Sequence, residues 1–139
     1  MTQNPGRDRR VTFILLATCI LSFGAALLVG IDDNLPGISL LYLSAATLVL
    51  TFVYHWRSAR RFLVLAGVAA IGFIVFAVLH NVAHGVADVL ADVAVVKHLL
   101  QGVSVLSFFL ALFLFPPAVL IGLAGALFCS LKNRAQPSA

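Results

Sequence analysis

Not one glutamate occurs in the chain, and aspartate supplies all five of its acidic residues. Charged residues make up only 10% of the 139 positions, where a soluble domain carries about 25%. That scarcity excludes an ordinary soluble domain and a disordered chain, because both rely on polar and charged groups for solvation. Cysteine is limited to two residues, too few for a disulfide scaffold. No Cys-x-x-Cys occurs, so a thiol–disulfide enzyme would lack its paired thiols. No Cys-x-x-Cys-His occurs either, which excludes covalent haem. Cys19 and Cys129 both fall inside apolar runs and read as small packing residues.

What is abundant is apolar. Hydrophobic residues reach 62% of the chain, against about 45–50% in soluble domains. They gather in runs long enough to cross a bilayer, which takes about 20 residues at about 1.5 Å rise each. The spans are expected at 11–30, 38–56, 62–84 and 103–131. The third is apolar from Phe62 through Leu79, and the fourth contains Pro116 and Pro117. Little chain is left for a soluble domain, so a single transmembrane domain is expected. Residues 1–10 and 134–139 read as mobile tails.

The few charges are segregated. Arg7, Arg9 and Arg10 precede span one, and Arg57, Arg60 and Arg61 join spans two and three. Lys132 and Arg134 follow span four. Eight of the nine basic residues therefore share one side; Lys97 is the exception. Asp32, Asp33, Asp88 and Asp92 lie on the other side, with Asp8 alone at the basic end. Basic residues resist translocation, so both termini are expected to be cytoplasmic. The net charge of +4 reflects these clusters beside the membrane, not a nucleic-acid surface. No basic stripe interleaved with aromatics is present.

The run 11–30 is longer than the h-region of a signal peptide, and no small-x-small cleavage site follows it. Leu16-Ala17-Thr18-Cys19 is loosely similar to a lipoprotein cleavage box, but the apolar run continues past it. The first span is therefore expected to be retained.

Local signals agree with four helices. Asp33-Asn34-Leu35-Pro36-Gly37 reads as a turn, with Gly37 supplying backbone freedom. Ser58 is placed to cap helix three, and Tyr54 and Trp56 belong at the interface. Helices in lipid need small residues for close approach and a few hydrogen bonds. Candidate seams are Thr18, Ser22 and Ala26; Ser44, Thr47 and Thr51; Ala66 and Ala70; and Ala118, Gly122 and Ala126. The proline pair removes two helix donors, so a kink in helix four and freed carbonyls in search of partners are expected. Pro116 and Pro117 are the candidate hinge.

One stretch carries chemistry. In 80–92 (HNVAHGVADVLAD), His80, His84 and Asp88 step by four and share one helix face, and Asp92 continues the row. Three readings compete. In the first, His80 and Asn81 hydrogen-bond to neighbouring helices while His84, Asp88 and Asp92 are wet. In the second, His80, His84 and Asp88 bind a divalent metal, with Asp32, Asp33 or His98 completing the shell, or His80 ligates a non-covalent haem. His55 lies at the opposite end and cannot pair with His80. In the third, the row is an ion or proton path. Helix three is expected to continue past this row as an amphipathic extension toward Lys97. Ser104 and Ser107 fall near the same level, yet no set of nucleophile, base and oxyanion device is recognisable, so no enzyme is expected.

The lack of glutamate, and of any acid in span one, departs from small multidrug-resistance exporters. The lack of cysteine pairs departs from disulfide-generating quinone reductases. Leu35-Pro36-Gly37, Leu41-Tyr42-Leu43-Ser44, Val78-Leu79-His80-Asn81 and Phe115-Pro116-Pro117 resemble segments of small prokaryotic four-span membrane proteins of unassigned function. That resemblance implies an architecture in the inner membrane and no activity. The expectation is an all-α, four-helix transmembrane bundle in contact with lipid. Its role is expected to be that of an accessory subunit, working as a homo-oligomer or in a larger membrane complex. The alternative is an ion- or metal-handling protein.

Overall fold

The computed structural model describes residues 5–31, 34–90 and 94–135, with side chains from Arg9 onward. The terminal residues 1–4 and 136–139, and with them Asp32, Asp33, Asp92 and the side chains of Arg7 and Asp8, lie outside the described residues.

The chain is all-helical among the described residues, and four helices are long and apolar enough to cross a membrane. Helix α1 is Pro5–Val29, α2 is Leu35–Val53 and α3 is Ala59–Val89. The fourth span is one unbroken helix in three parts: α4, Ala94–Phe109; a single π turn, Leu110–Leu114; and α5, Phe115–Ala135. The class is therefore that of a small polytopic α-helical membrane protein.

Helix starts follow local chemistry. Pro36 stands in the first turn of α2, where its missing N–H costs nothing. Asn34 precedes it in extended conformation and donates through Nδ2 to the carbonyl of Val29, closing the end of α1. The positive φ belongs to Gly30, at 90°, not to Gly37. Gly37 is helical and buried, and it lies directly against the Gly30 carbonyl, where any Cβ would collide. Its lack of a side chain serves close approach, which corrects the expectation of turn freedom. Ser58 stands at the N-cap of α3 in extended conformation but makes no side-chain cap bond.

All four helices differ in their bounds from the expected spans, α1 starting already at Pro5, and the difference at the end of α3 matters most for the site. Helix α3 ends at Val89, and Lys97 belongs to the second helix of that pair, α4. The expected extension of helix three toward Lys97 is thus replaced by two helices, α3 ending at Val89 and α4 starting at Ala94, well before residue 103.

The helices pack in the order α1, α2, fourth span, α3. Among the described residues α1 packs on α2 alone, α2 also packs on α5 and the π turn, and α3 packs on all three parts of the fourth span. Small and hydroxylated residues line the seams. Ser22 and Ala26 are buried on α1; Ser44, Thr47 and Thr51 on α2; Ala118, Gly122 and Ala126 on α5. On α3 the buried pair is Ala66 and Ala69, and Ala70 faces outward. At Gly122 an added Cβ would lie 2.8 Å from both the Ala66 nitrogen and the Phe62 carbonyl oxygen, so glycine is required for the two backbones to meet.

Hydrogen bonds reinforce the seams. The Ser44 hydroxyl donates to the Cys19 carbonyl at 3.0 Å, and Thr12 Oγ1 meets the Tyr54 hydroxyl at 3.0 Å. The second contact brings the start of α1 to the end of α2. The buried cluster of Val53, Phe62, Ala126 and Cys129 likewise joins the start of α3 to the end of α5. Both described chain ends therefore lie at one end of the bundle.

Candidate functional site

The row of His80, His84 and Asp88 lies on the last turns of α3, facing α4 at His80 and open beyond it. Ala83 and Ala87 are buried and bring α4 close on that side of the helix. On α4, Ser104 is 3% and Ser107 2% exposed. The close approach lets His80 reach across. Its Nδ1 lies 2.9 Å from Ser104 Oγ and 3.0 Å from the Ser104 carbonyl oxygen. Ser104 Oγ also lies 3.3 Å from the His80 carbonyl oxygen.

This bridge works in either tautomer. A protonated Nδ1 donates to the Ser104 carbonyl while the hydroxyl donates to the His80 carbonyl. An unprotonated Nδ1 accepts the hydroxyl proton. Phe108 covers the imidazole, with ring centroids 5.2 Å apart. Pairing of this kind is what permits a polar ring near the end of a span.

Outside this bridge the row is open. The His84 ring stacks 6.2 Å from that of His80. His84 Nε2 lies 3.9 Å from Asp88 Oδ2, and both side chains are 67% exposed. Asn81 turns back on its own helix, donating to the Ala77 carbonyl at 2.8 Å. The expectation of interhelical partners therefore holds for His80 and fails for Asn81, whose side chain faces away from α4. His98 is exposed on α4, and among the described residues no hydrogen bond or ring contact joins it to the row. Among the described residues no group of three or more His, Cys, Asp or Glu side chains is gathered as a metal site requires. Asp32 and Asp33, named above as further ligands, and Asp92, which continues the row, lie outside the described residues. His55 lies at the other end of the bundle, beside Tyr54.

The proline pair forms a second polar locus. Pro116 cannot donate to the carbonyl of Leu112, its partner four residues back. The helix responds with the π turn, in which the Phe115 N–H reaches the carbonyl of Leu110. The Tyr42 hydroxyl then donates to the Leu112 carbonyl at 3.0 Å. The Tyr42 ring packs edge-on against Phe113 at 5.3 Å. Sequence reasoning expected a partner for the freed carbonyl but did not find Tyr42. The available signal was an aromatic hydroxyl placed in mid-span.

A third feature lies at the end carrying the chain termini. A pocket of about 380 Å³ opens between α2, α3 and α5. Leu50, Val53, Phe62, Ile121 and Phe128 form its wall, and Trp56 and Arg57 lie at its rim. Comparison with protein-family models, curated proteins and solved structures gives no match for this chain.

Proposed function

We propose that the chain is an accessory or structural subunit of a prokaryotic inner membrane, with both termini cytoplasmic, and not an enzyme. One observation carries this reading: the embedded polar groups are spent on bonds inside the bundle, across helices at Ser44, Tyr42 and His80 and within α2 at Thr47 and Thr51. Ser44, Thr47, Thr51, Tyr42 and His80 each bond to helix carbonyls or to a neighbouring hydroxyl. No buried side-chain nitrogen or oxygen among the described residues lacks a partner. A conduit or a catalytic centre needs polar groups held free for a substrate. The wide apolar faces of α1, which among the described residues packs on α2 alone, suit association with other membrane helices.

The test is crosslinking in native membranes before solubilisation, followed by purification of the tagged chain. Capture within a homo-oligomer or a larger complex is expected. Recovery only as a 14.8 kDa monomer overturns the reading. Reporter fusions after Asp33 and after Arg134 test the orientation. A cytoplasmic signal at Asp33 overturns it.

A second reading, ion or metal handling, draws on the exposed His84–Asp88 pair stacked against His80. Metal analysis and an absorbance spectrum of wild type against His80→Ala/His84→Ala test for a divalent ion or a non-covalent haem. Solute flux in vesicles tests for transport. Absence of metal and haem, together with unchanged flux, removes this reading.

A further inference from the structure

The pocket at the terminal end is not used by any role proposed above. Its geometry follows from the packing order. Among the described residues α2 and α3 do not pack on each other; both lean on α5. The gap between them is the pocket, with α5 as its back wall and the 54–58 connection at its rim. Along α2 the lining runs from Leu50 to Val53, and along α5 from Ile121 to Cys129. The α5 stretch rises about 12 Å at about 1.5 Å per residue. One leaflet of hydrocarbon is about 15 Å deep, half of the whole. The pocket is therefore deep enough for part of one acyl chain and too shallow for a crossing helix. Its volume of about 380 Å³ falls in the range of small-ligand sites, about 300–1,000 Å³.

The wall is apolar and the rim is cationic. Arg57 lines the opening, and Arg60 and Arg61 follow on the first turn of α3, all three exposed. None forms an ion pair with a described carboxylate; the pair joining His84 and Asp88 is at the other end. The uncapped start of α3, between the lining residues Arg57 and Phe62, adds the positive end of a helix dipole. Trp56, packed edge-on to Phe62 at 5.5 Å, sits at the level where amphipathic rings meet headgroups.

From this combination we infer that the pocket holds one anionic phospholipid of the adjoining leaflet. One acyl chain lies against Leu50, Phe62, Ile121 and Phe128, and the headgroup phosphate lies at Arg57. The inference is independent of the accessory role.

Trp56 is the chain's one tryptophan, so the site reports on itself. The full chain is reconstituted in nanodiscs containing phosphatidylglycerol or phosphatidylcholine brominated on the acyl chains. Brominated phosphatidylglycerol is expected to quench Trp56 at a roughly fivefold lower mole fraction, the preference expected of one arginine near an anionic surface. Arg57→Gln is expected to bring the two lipids close to equality. Ala124→Phe, which fills the pocket from α5, is expected to abolish the preference. Leu28→Phe, on the exposed face of α1, is expected to leave it intact. Circular dichroism confirms that each variant is folded.

Equal quenching of the wild type by both lipids overturns the inference. So does an unchanged preference in folded Ala124→Phe. A brominated fatty acid that quenches as strongly as phosphatidylglycerol would assign the rim to a carboxylate and overturn the phospholipid.

Discussion

In the fourth span Pro116 and Pro117 each withhold an N–H, and the Leu112 carbonyl is left to the Tyr42 hydroxyl at 3.0 Å. In lipid no water can replace that partner. Tyr42→Phe is therefore expected to destabilise the bundle by about 0.6–1.7 kcal/mol, the mean and the maximum for such bonds in membranes. In a Pro116→Ala background residue 116 regains its N–H, and the same substitution is expected to cost less. Unfolding in mixed micelles, run as a double-mutant cycle, measures the difference. Equal costs in both backgrounds would show that the proline does not create the need. The same logic governs His80. Ser104→Ala is expected to weaken the bundle by a similar amount, about 0.6–1.7 kcal/mol, and to be non-additive with His80→Ala. Asn81→Ala is expected to be near neutral, because among the described residues Asn81 bonds within α3. At this scale the spacing of His80, His84 and Asp88 was legible in the chain, and Ser104 and Ser107 both fall near its level. Only the rotation of α4 selects Ser104 as the partner of His80.

Helix existence was the easiest feature to read, because apolar runs of bilayer length have few alternatives. Helix ends were harder. The sequence reading places Lys97 on an extension of helix three, yet it lies on α4, because the apolar pattern runs on from 89 to 94 without a Gly or Pro to mark a boundary. Seams were legible on α5, where Ala118, Gly122 and Ala126 are all buried. On α3 spacing alone favoured Ala70 where packing uses Ala69, because a four-residue step leaves the precise helix face open. Gly122 and Gly67 give a direct comparison. Both are span glycines, but a Cβ at Gly67 meets nothing within 4 Å, while one at Gly122 meets the α3 backbone. Gly122→Val is expected to cost about 1–3 kcal/mol through overpacking, and Gly67→Val is expected to cost much less. Micelle unfolding of the two variants checks this. Similar costs would mean that α5 does not approach α3 as closely as the structure has it.

At the scale of the whole molecule, the order α1, α2, fourth span, α3 makes α1 peripheral. Cys19 Sγ lies 3.4 Å from Ser44 Oγ. In a Cys129→Ala background, Ser44→Cys is therefore expected to form an intramolecular disulfide with Cys19 under mild oxidation. Ala69→Cys, on the face of α3 that meets the fourth span, is expected not to. Mobility on non-reducing gels reads the outcome. A Cys19 link to position 69 within one chain would require α1 to touch α3, and the order would be wrong.

By itself the sequence determined the class, the number of spans and the separation of basic from acidic ends. Those features depend on transfer free energy and charge, which are properties of segments read one at a time. It also held the polar row of α3, because a four-residue step is local geometry. Only the tertiary structure decided which small faces meet, that His80 is tied to Ser104 while His84 and Asp88 stay open, and that Tyr42 completes the proline turn. These depend on the relative rotation and depth of helices that are far apart in the chain. Lipid imposes no hydrophobic force between them, so small local packing and hydrogen-bond terms settle the arrangement. The glutamate-free composition is consistent with this division: with charge confined to the ends, the interior of the bundle is held by glycine, alanine, hydroxyls and one histidine.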